Sequence, residues 1–443
     1  MKKLPVRLLN ICGLFQILLL SNATPHGALV AQQTGCSFEN STLQFNFVDQ
    51  VEAIDFDGDS DLDLVIEDGA IDELIFLEND GNGNFSEVAS LTVSNSVEFA
   101  LGDLDGDGDI DVVTNITSPN PDRLAVYENV GNLNFGPAVF YDYPADTVSG
   151  RGPTIGDFDG DGDLDICVGT TDTLLGTTPQ TLDLFVNDGT GVFTAGEILD
   201  TPARPFGIEF VDLNSDGNVD LVASLFDGTN RTVGVHINDG GGSFLEPVEY
   251  PAGTWGGIDV GDINNDSHVD IALAFGNDFS VVYGNGDGSF QEPVIISNEG
   301  TLFRANVGIL DLDGDQDKEL IAIRGNTNDF NLYINNGNDV FDLDLGVSLA
   351  FSPNDVATGD FNGDGVDDAA IGHSAGNLEI LFFDCRETLL GDVNLDGNVD
   401  LLDVSPFVAL LTSGSFQLEA DINRDNEVNL LDIGGFVEIL IGN

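Results

Sequence analysis

Residues 156–169 read GDFDGDGDLDICVG: five aspartates on alternate positions, two glycines among them, running into an apolar β-type stretch. Two carboxylates about 4 Å apart repel by roughly 4 kcal/mol at an effective dielectric of about 20. Such crowding needs something to offset it, and a hard cation does so. Oxygens at positions 1, 3 and 5 of a tight loop, a main-chain carbonyl at 7 and a carboxylate at 9 can converge on one ion, with glycine at 4 or 6 permitting the turn. Ca2+ accepts about six to eight oxygens in flexible geometry, whereas Mg2+ demands a stricter octahedron and keeps its water, so Ca2+ is the expected cofactor.

The same loop occurs seven times, beginning at Asp55, Asp103, Asp157, Asp212, Asp262, Asp311 and Asp360, with a period of roughly fifty residues. The expected metal residues of the first three loops are Asp55, Asp57, Asp59, Asp61 and Asp63; Asp103, Asp105, Asp107, Asp109 and Asp111; and Asp157, Asp159, Asp161, Asp163 and Asp165. Those of the fourth and fifth are Asp212, Asn214, Asp216, Asn218 and Asp220, then Asp262, Asn264, Asp266, His268 and Asp270. The last two offer Asp311, Asp313, Asp315, Asp317 and Glu319, then Asp360, Asn362, Asp364, Val366 and Asp368. In each set the fourth-named residue serves through its carbonyl. Loops two and three carry every ligand and both glycines. Loop five lacks glycine and loop six ends in Glu319, so these two are expected to bind most weakly. Solvated acidic turns without metal are the alternative, and seven copies in register argue against it.

Around each loop the chain repeats one anatomy: an apolar approach such as GIDVGD, the acidic loop, a β-type run such as VDIALAF, a third apolar run such as LDLFVN, then an Asn/Asp/Gly turn leading to a phenylalanine and a fourth extended segment. Four strands and no helical period describe a blade, and seven blades describe a β-propeller. The expected fold is mainly β, a seven-bladed propeller over residues 36–385, with an open solenoid of sheets as the other arrangement. The chain ends favour closure. The turn phenylalanine recurs at Phe85, Phe135, Phe193, Phe244, Phe290 and Phe341, and the seventh copy, Phe38, stands near the N-terminus. The segment STLQFNF (41–47) is therefore expected to be the outer strand of the last blade, which removes an exposed edge.

That closure gives two cysteines a role. Aligning LFFDC, ending at Cys385, with LFVNDGTGVF puts Cys385 at the place of Asp188 and Cys36 near Gly191, across one turn. Residues so placed lie within the Cα range of a disulfide, so a Cys36–Cys385 bond is expected, with two free thiols as the alternative. Cys167, inside LDICVG, reads as a small buried hydrophobe.

An exported chain permits that bond. Lys2, Lys3 and Arg7 precede an apolar run from Leu8 to Leu20, which at about 13 residues is short for a membrane span. Residues 1–31 thus read as a signal peptide cleaved after Ala23 or Ala31, with retention as an anchor the alternative. No later segment is long enough to cross a bilayer. The expected location is secreted, extracellular or at the cell surface. With 78 acidic against 12 basic residues the formal charge is −66, which makes nucleic acid and anionic membrane unsuitable partners. Yet 42% hydrophobic content and 30 phenylalanines set the chain apart from a disordered polyanion.

After Cys385 and a linker over 386–390 the period changes. GDVNLDGNVDLLDVSPFVALL and ADINRDNEVNLLDIGGFVEIL each pair an acidic loop with an apolar helical pattern. Their expected ligands are Asp392, Asn394, Asp396, the Asn398 carbonyl, Asp400 and Asp403, then Asp421, Asn423, Asp425, the Glu427 carbonyl, Asn429 and Asp432. That is EF-hand spacing with Asp at the last position, so residues 391–443 read as a small α-helical tandem calcium-binding module.

The propeller repeats resemble the FG-GAP or VCBS family, which includes the heads of integrin α subunits, over roughly residues 37–385. The phenylalanine-glycine signature itself is poorly kept, since GIEF and EFAL stand in its place. The resemblance implies Ca2+ between the first and second strands of each blade, and binding or adhesion more often than catalysis. Residues 391–443 resemble a type I dockerin, which docks onto cohesins. In that family the residues before the final ligand help choose the cohesin, and here they are Leu401, Leu402, Leu430 and Leu431. No cellulose-degrading domain accompanies the module, so docking or surface attachment is expected rather than a cellulosome.

The functional expectation is a secreted, calcium-binding, non-enzymatic adhesion protein whose propeller takes an unknown protein or glycan and whose C-terminal module takes a cohesin-like partner. The alternatives are a propeller-based carbohydrate-active enzyme, a polysaccharide lyase or hydrolase, and a lectin. Against the enzyme, only His236, His268 and His373 remain after signal removal, and no basic cluster is present to neutralise an acidic polysaccharide. For a lectin, Trp255, Tyr283 and Tyr333 could stack on sugars, although isolated aromatics in blades more often fill the core.

Overall fold

The computed structural model describes residues 27–29, 37–117, 122–143, 149–171, 180–254, 256–275, 278–298, 305–312, 318–325, 328–335, 341–384, 393, 404–413, 433 and 437. The chain divides into two compact units, one containing Phe38–Phe383 and the other Asp384–Asn443.

The first unit is a seven-bladed β-propeller. Six blades are four-stranded antiparallel meanders spanning 48–92, 96–142, 149–201, 204–251, 257–298 and 305–348. Blade three shows the common plan, with strands Ser149–Gly156, Asp165–Thr171, Gln180–Asn187 and Phe193–Thr201 in that order. The opening stretch GDFDGDGDLDICVG is the link from its first strand to its second. A Cβ at Gly156, where that link begins, would stand 2.9 Å from Cβ of Phe210 in blade four. A side chain there would push neighbouring inner strands apart.

Blade seven closes the ring. Its strands Pro353–Gly359, Asp368–His373 and Asn377–Asp384 are completed by Ser37–Gln44 from the start of the chain, so the outer strand comes from the expected end but begins earlier than the expected 41–47 and stops before Phe45. Gly27–Leu29, within the stretch read as a signal peptide, pairs with Ser37–Gln44 as a fifth strand. Cys36 and Cys385 lie outside the described residues. Their neighbours Phe38 and Phe383 place ring centroids 5.9 Å apart.

Hydrophobic side chains pack between blades, which explains why second strands such as Asp63–Asp68, Asp111–Ile116 and Asp368–His373 are buried along their whole length. A sheet covered on both faces needs no polar alternation. Leu182, Leu184 and Cys167 of blade three meet Leu221, Ala223 and Leu225 of blade four. Val48, Leu64 and Ile66 of blade one meet Phe361, Ala370 and Ile380 of blade seven. That last contact decides against an open solenoid, which would leave both terminal faces in water.

In the second unit the helix Val404–Ser413 follows the first acidic segment and buries Phe407 against Val393, flanked by Val404, Leu410 and Leu411. The calcium ligands expected between Asp392 and Asp432, and Leu401, Leu402, Leu430 and Leu431, lie outside the described residues. Among the described residues no helix is long and apolar enough to cross a membrane.

Candidate metal centre

All the acidic loops join the first strand of a blade to the second. Positions 4 and 6 are left-handed in the six described loops, as at Gly160 (φ 76°) and Gly162 (φ 99°), and loop five holds this shape with Asn265 (φ 58°) and Ser267 (φ 68°). The turn directs backbone N–H groups at the position-1 carboxylate: Gly160 N and Gly162 N donate to Asp157 at 2.8 and 3.0 Å. Position 5 accepts from position 7, as Asp163 N donates to Asp161 at 3.1 Å.

Position 9 is of another kind. Asp165 is fully buried at the start of the second strand. Its Oδ2 accepts from Phe158 N at 3.2 Å and its Oδ1 from Asn187 N, on the third strand, at 2.8 Å. Asp63, Asp111, Asp220, Asp270 and Asp368 repeat this double acceptance. The carboxylate therefore ties the loop to the sheet as well as facing its neighbours.

Carboxylate oxygens of positions 1, 3 and 9 converge in loops one, two and three. Asp55, Asp57 and Asp63, then Asp103, Asp105 and Asp111, then Asp157, Asp159 and Asp165 each offer three oxygens within 4.8 Å of one another. The position-5 residues Asp59, Asp107 and Asp161 stand outside these groups. So do the position-7 side chains, and that of Asp163 lies instead where a Cβ on Gly189 of the following turn would be. Loops four, five and seven place Asn214, Asn264 and Asn362 at position 3, which substitutes an amide for a carboxylate. In loop six Asp313, Asp315 and Asp317 lie outside the described residues, while Asp311 pairs with Lys318 at 3.3 Å and Glu319 accepts from Leu312 N at 3.0 Å.

The electrostatics match a cation's chemistry. Burial raises Asp57, Asp105 and Asp159, neighbouring carboxylates add to the rise, and backbone hydrogen bonds from Asp59, Asp107 and Asp161 oppose it. Burial likewise pushes Asp63 and Asp111 up to about 6, Asp165 and Asp270 to about 7 and Asp368 to about 8. Among the described residues no lysine, arginine or histidine pairs with the converging groups of loops one to three. Three hard oxygens without a counter-ion fit Ca2+.

Asparagine at the end of the third strand was not singled out in the sequence, where it reads only as the first residue of a turn. Asn79, Asn129, Asn187, Asn238 and Asn335 are all buried there. The signal available was its recurrence before Asp-Gly, Val-Gly or Asn-Gly, as in ENDG, ENVG, VNDG, INDG and INNG.

A second polar region lines the central channel, a cavity of about 590 Å3. Glu52, Glu98, Glu209, Asp259 and Asp355 from five inner strands face it. Side chains lining it stitch blades together: Gln50 bridges to both Phe99 N and Phe99 O at 2.8 and 3.0 Å, Asp259 accepts from Ile309 N at 2.8 Å, and Asp355 accepts from Val51 N at 2.9 Å across the ring closure. Burial, then the carboxylates of Glu52 and Asp259, pushes Glu209 up to about 8. A carboxyl raised in the fold stabilises it below the unfolded value near 4.5, and that contribution is lost as the pH climbs to about 8. Glu209→Gln is therefore expected to raise the melting temperature by a few degrees at pH 8.5 and to leave it unchanged at pH 4.5. A difference that does not vary with pH would refute the assignment.

The other sequence candidates are placed as follows. His236 is buried, and burial lowers it to about 4. His373 is buried with Nε2 3.4 Å from Glu379. Tyr283 and Tyr333 belong to the core between blades five and six, the place expected of isolated blade aromatics, and are not available to stack on sugars. Trp255 lies outside the described residues.

Comparison with known proteins adds the family. No curated protein matches the chain. Among solved structures, a lectin from Agrocybe aegerita, described in specific recognition of non-reducing terminal N-acetylglucosamine, is 19% identical over 76% of this chain and 86% of that chain, with a TM-score of 0.50. BBS1N in complex with ARL6DN is 12% identical over 76% and 92%, with a TM-score of 0.51. At these identities the likeness extends to the fold alone. The Dockerin type I domain family matches residues 390–434. The FG-GAP-like repeat family matches residues 55–114, 103–168, 169–223 and 262–322, together more than half of the chain. A propeller with one acidic loop per blade, matched over that length, belongs to the FG-GAP-like repeat family and carries a dockerin type I match at its C-terminal end.

Proposed function

We propose that this is a secreted, calcium-stabilised, non-enzymatic binding protein, whose propeller carries the recognition surface and whose C-terminal module attaches it to a cohesin-bearing partner. The convergence of three carboxylate oxygens in loops one to three carries the calcium part of this reading. The ligands are the oxygens of positions 1, 3 and 9, with positions 5 and 7 available to complete the shell as the loop closes on the ion. Bound Ca2+ supplies charge neutralisation and rigidity, and the backbone N–H groups on positions 1 and 9 hold the loop in shape. The docking part rests on the dockerin match. Dockerin domains bind cohesins, and proteins that contain them are typically extracellular or cell-surface. FG-GAP propellers and dockerins are both typically non-catalytic modules.

For the propeller's own ligand, the likeness to a lectin makes a glycan the first candidate to screen. The test uses the full chain loaded with calcium, immobilised and exposed to a panel of purified cohesins and to a glycan array. Calcium-dependent retention of a cohesin is the expected result, and retention of none from the panel would remove the docking role. Depolymerisation of any polysaccharide by the purified chain would overturn the non-enzymatic reading.

A further inference from the structure

Loops two, three, five and seven are each held by an asparagine of the blade that follows as well as by their own blade. Asn187, at the end of the third strand of blade three, donates from Nδ2 to Leu164 O in its own loop at 2.9 Å and to Leu104 O in the loop of blade two at 2.7 Å. Leu104 sits between the position-1 and position-3 residues Asp103 and Asp105. Asn238 of blade four repeats the pair on Val219 O at 3.0 Å and Phe158 O, in loop three, at 2.6 Å. Across the ring closure, Asn79 of blade one donates to Leu62 O at 2.9 Å and to Phe361 O of loop seven at 2.8 Å. The following turn adds a second contact, since a Cβ on Gly242 would lie 2.7 Å from Cβ of Asp159, the position-3 residue of loop three.

A carboxylate one residue from an anchored carbonyl has fewer conformations to lose when it closes on an ion. We propose that these asparagines are positioning residues for the calcium site of the preceding blade, so that the affinity of a loop depends on its successor blade as well as on its own ligands. Loop three, with every ligand and both glycines, then owes part of its affinity to Asn238, which stands in blade four. Loop four lacks the amide anchor, because Gly284 occupies the asparagine position in blade five; there Gly288 N donates to Leu213 O at 3.3 Å instead. Its site is expected to be weaker than its own sequence implies.

This proposal rests on the calcium reading above, and the test separates the two. Hydrogen exchange of the full chain, followed across a calcium titration, reports the half-saturating calcium for segment 157–165. Asn238→Ala is expected to raise that value about fivefold, the size of one lost hydrogen bond. Asp212→Asn, which disables the first ligand of loop four while keeping Asn238, is expected to leave it within about twofold. Asn238→Gly, which copies the residue found at this place in blade five, gives a second variant should alanine fail to fold. A shift confined to segment 212–220, or an equal shift in Asp212→Asn, would overturn the positioning role. Absence of calcium-dependent protection in the parent's loops would instead overturn the calcium reading.

Discussion

Excess chelator is expected to lower the melting temperature of the full chain by at least about 10 °C and to release about seven to nine Ca2+ per chain. An ion at about a hundred times its dissociation constant contributes about 2.7 kcal/mol, so even four such sites exceed the whole stability of many domains. Without the ion, three converging carboxylate oxygens in each of loops one to three repel one another beside a blade junction. The raised carboxyls set the pH dependence of the loss. In the ion-free fold Asp63, Asp111, Asp165, Asp270 and Asp368 hold protons at about 6 to 8, so that form gains stability as the pH falls toward 5. The calcium-loaded form loses stability over the same range, because protons compete with the ion. The gap between the two melts is therefore widest near pH 8 and narrows on acidification. Calorimetry with and without chelator at pH 8 and pH 5.5 reads both quantities, and coincident melts at pH 8 would remove calcium from the loops.

Asp165→Ala is expected to be the most damaging single change within loop three. It removes one of the three converging oxygens and leaves Phe158 N and Asn187 N buried without acceptors. Unsatisfied buried donors cost about 1–3 kcal/mol each, and for a chain of this size the loss of both lowers the melting temperature by about 3–8 °C. The deficit is expected to persist in chelator, because the two N–H groups are stranded whether or not an ion is present. Asp159→Ala makes the contrast. Its backbone acceptance, from Asp161 N at 3.3 Å, is exposed, so its effect is expected in calcium and nearly absent in chelator. If both variants lost the same stability in chelator, position 9 would have no role of its own beyond ligation.

The loops themselves were legible in the sequence because ligand spacing is local: alternate residues in a left-handed turn fix which oxygens can meet, and glycine or asparagine at the turn fixes the backbone. The blade was legible for the same reason, four short extended runs repeating with one period. Less direct was the closure, which the displaced Phe38 indicated and which Val48 packing with Phe361 and Ala370 completes. Other features had no local signature. Glu52, Glu98, Glu209, Asp259 and Asp355 are scattered acidic residues in the chain, and they become one region only because the ring brings their inner strands around a single channel. Tyr283 and Tyr333 read more readily as core than as sugar platforms, but only the packing of blade five on blade six shows which neighbours bury them.

Sequence alone determined the repeat, the blade, the ring and the chemistry of the acidic loops, since these follow from backbone geometry and residue spacing within a few turns of chain. Tertiary structure decided which oxygens converge, that the position-9 carboxylate is also a buried tie to the sheet, and that Asn187 reaches a loop 83 residues away. The reason is physical: propensity and periodicity act between near neighbours, whereas a hydrogen bond between blades exists only once the sheets have stacked and the ring has closed.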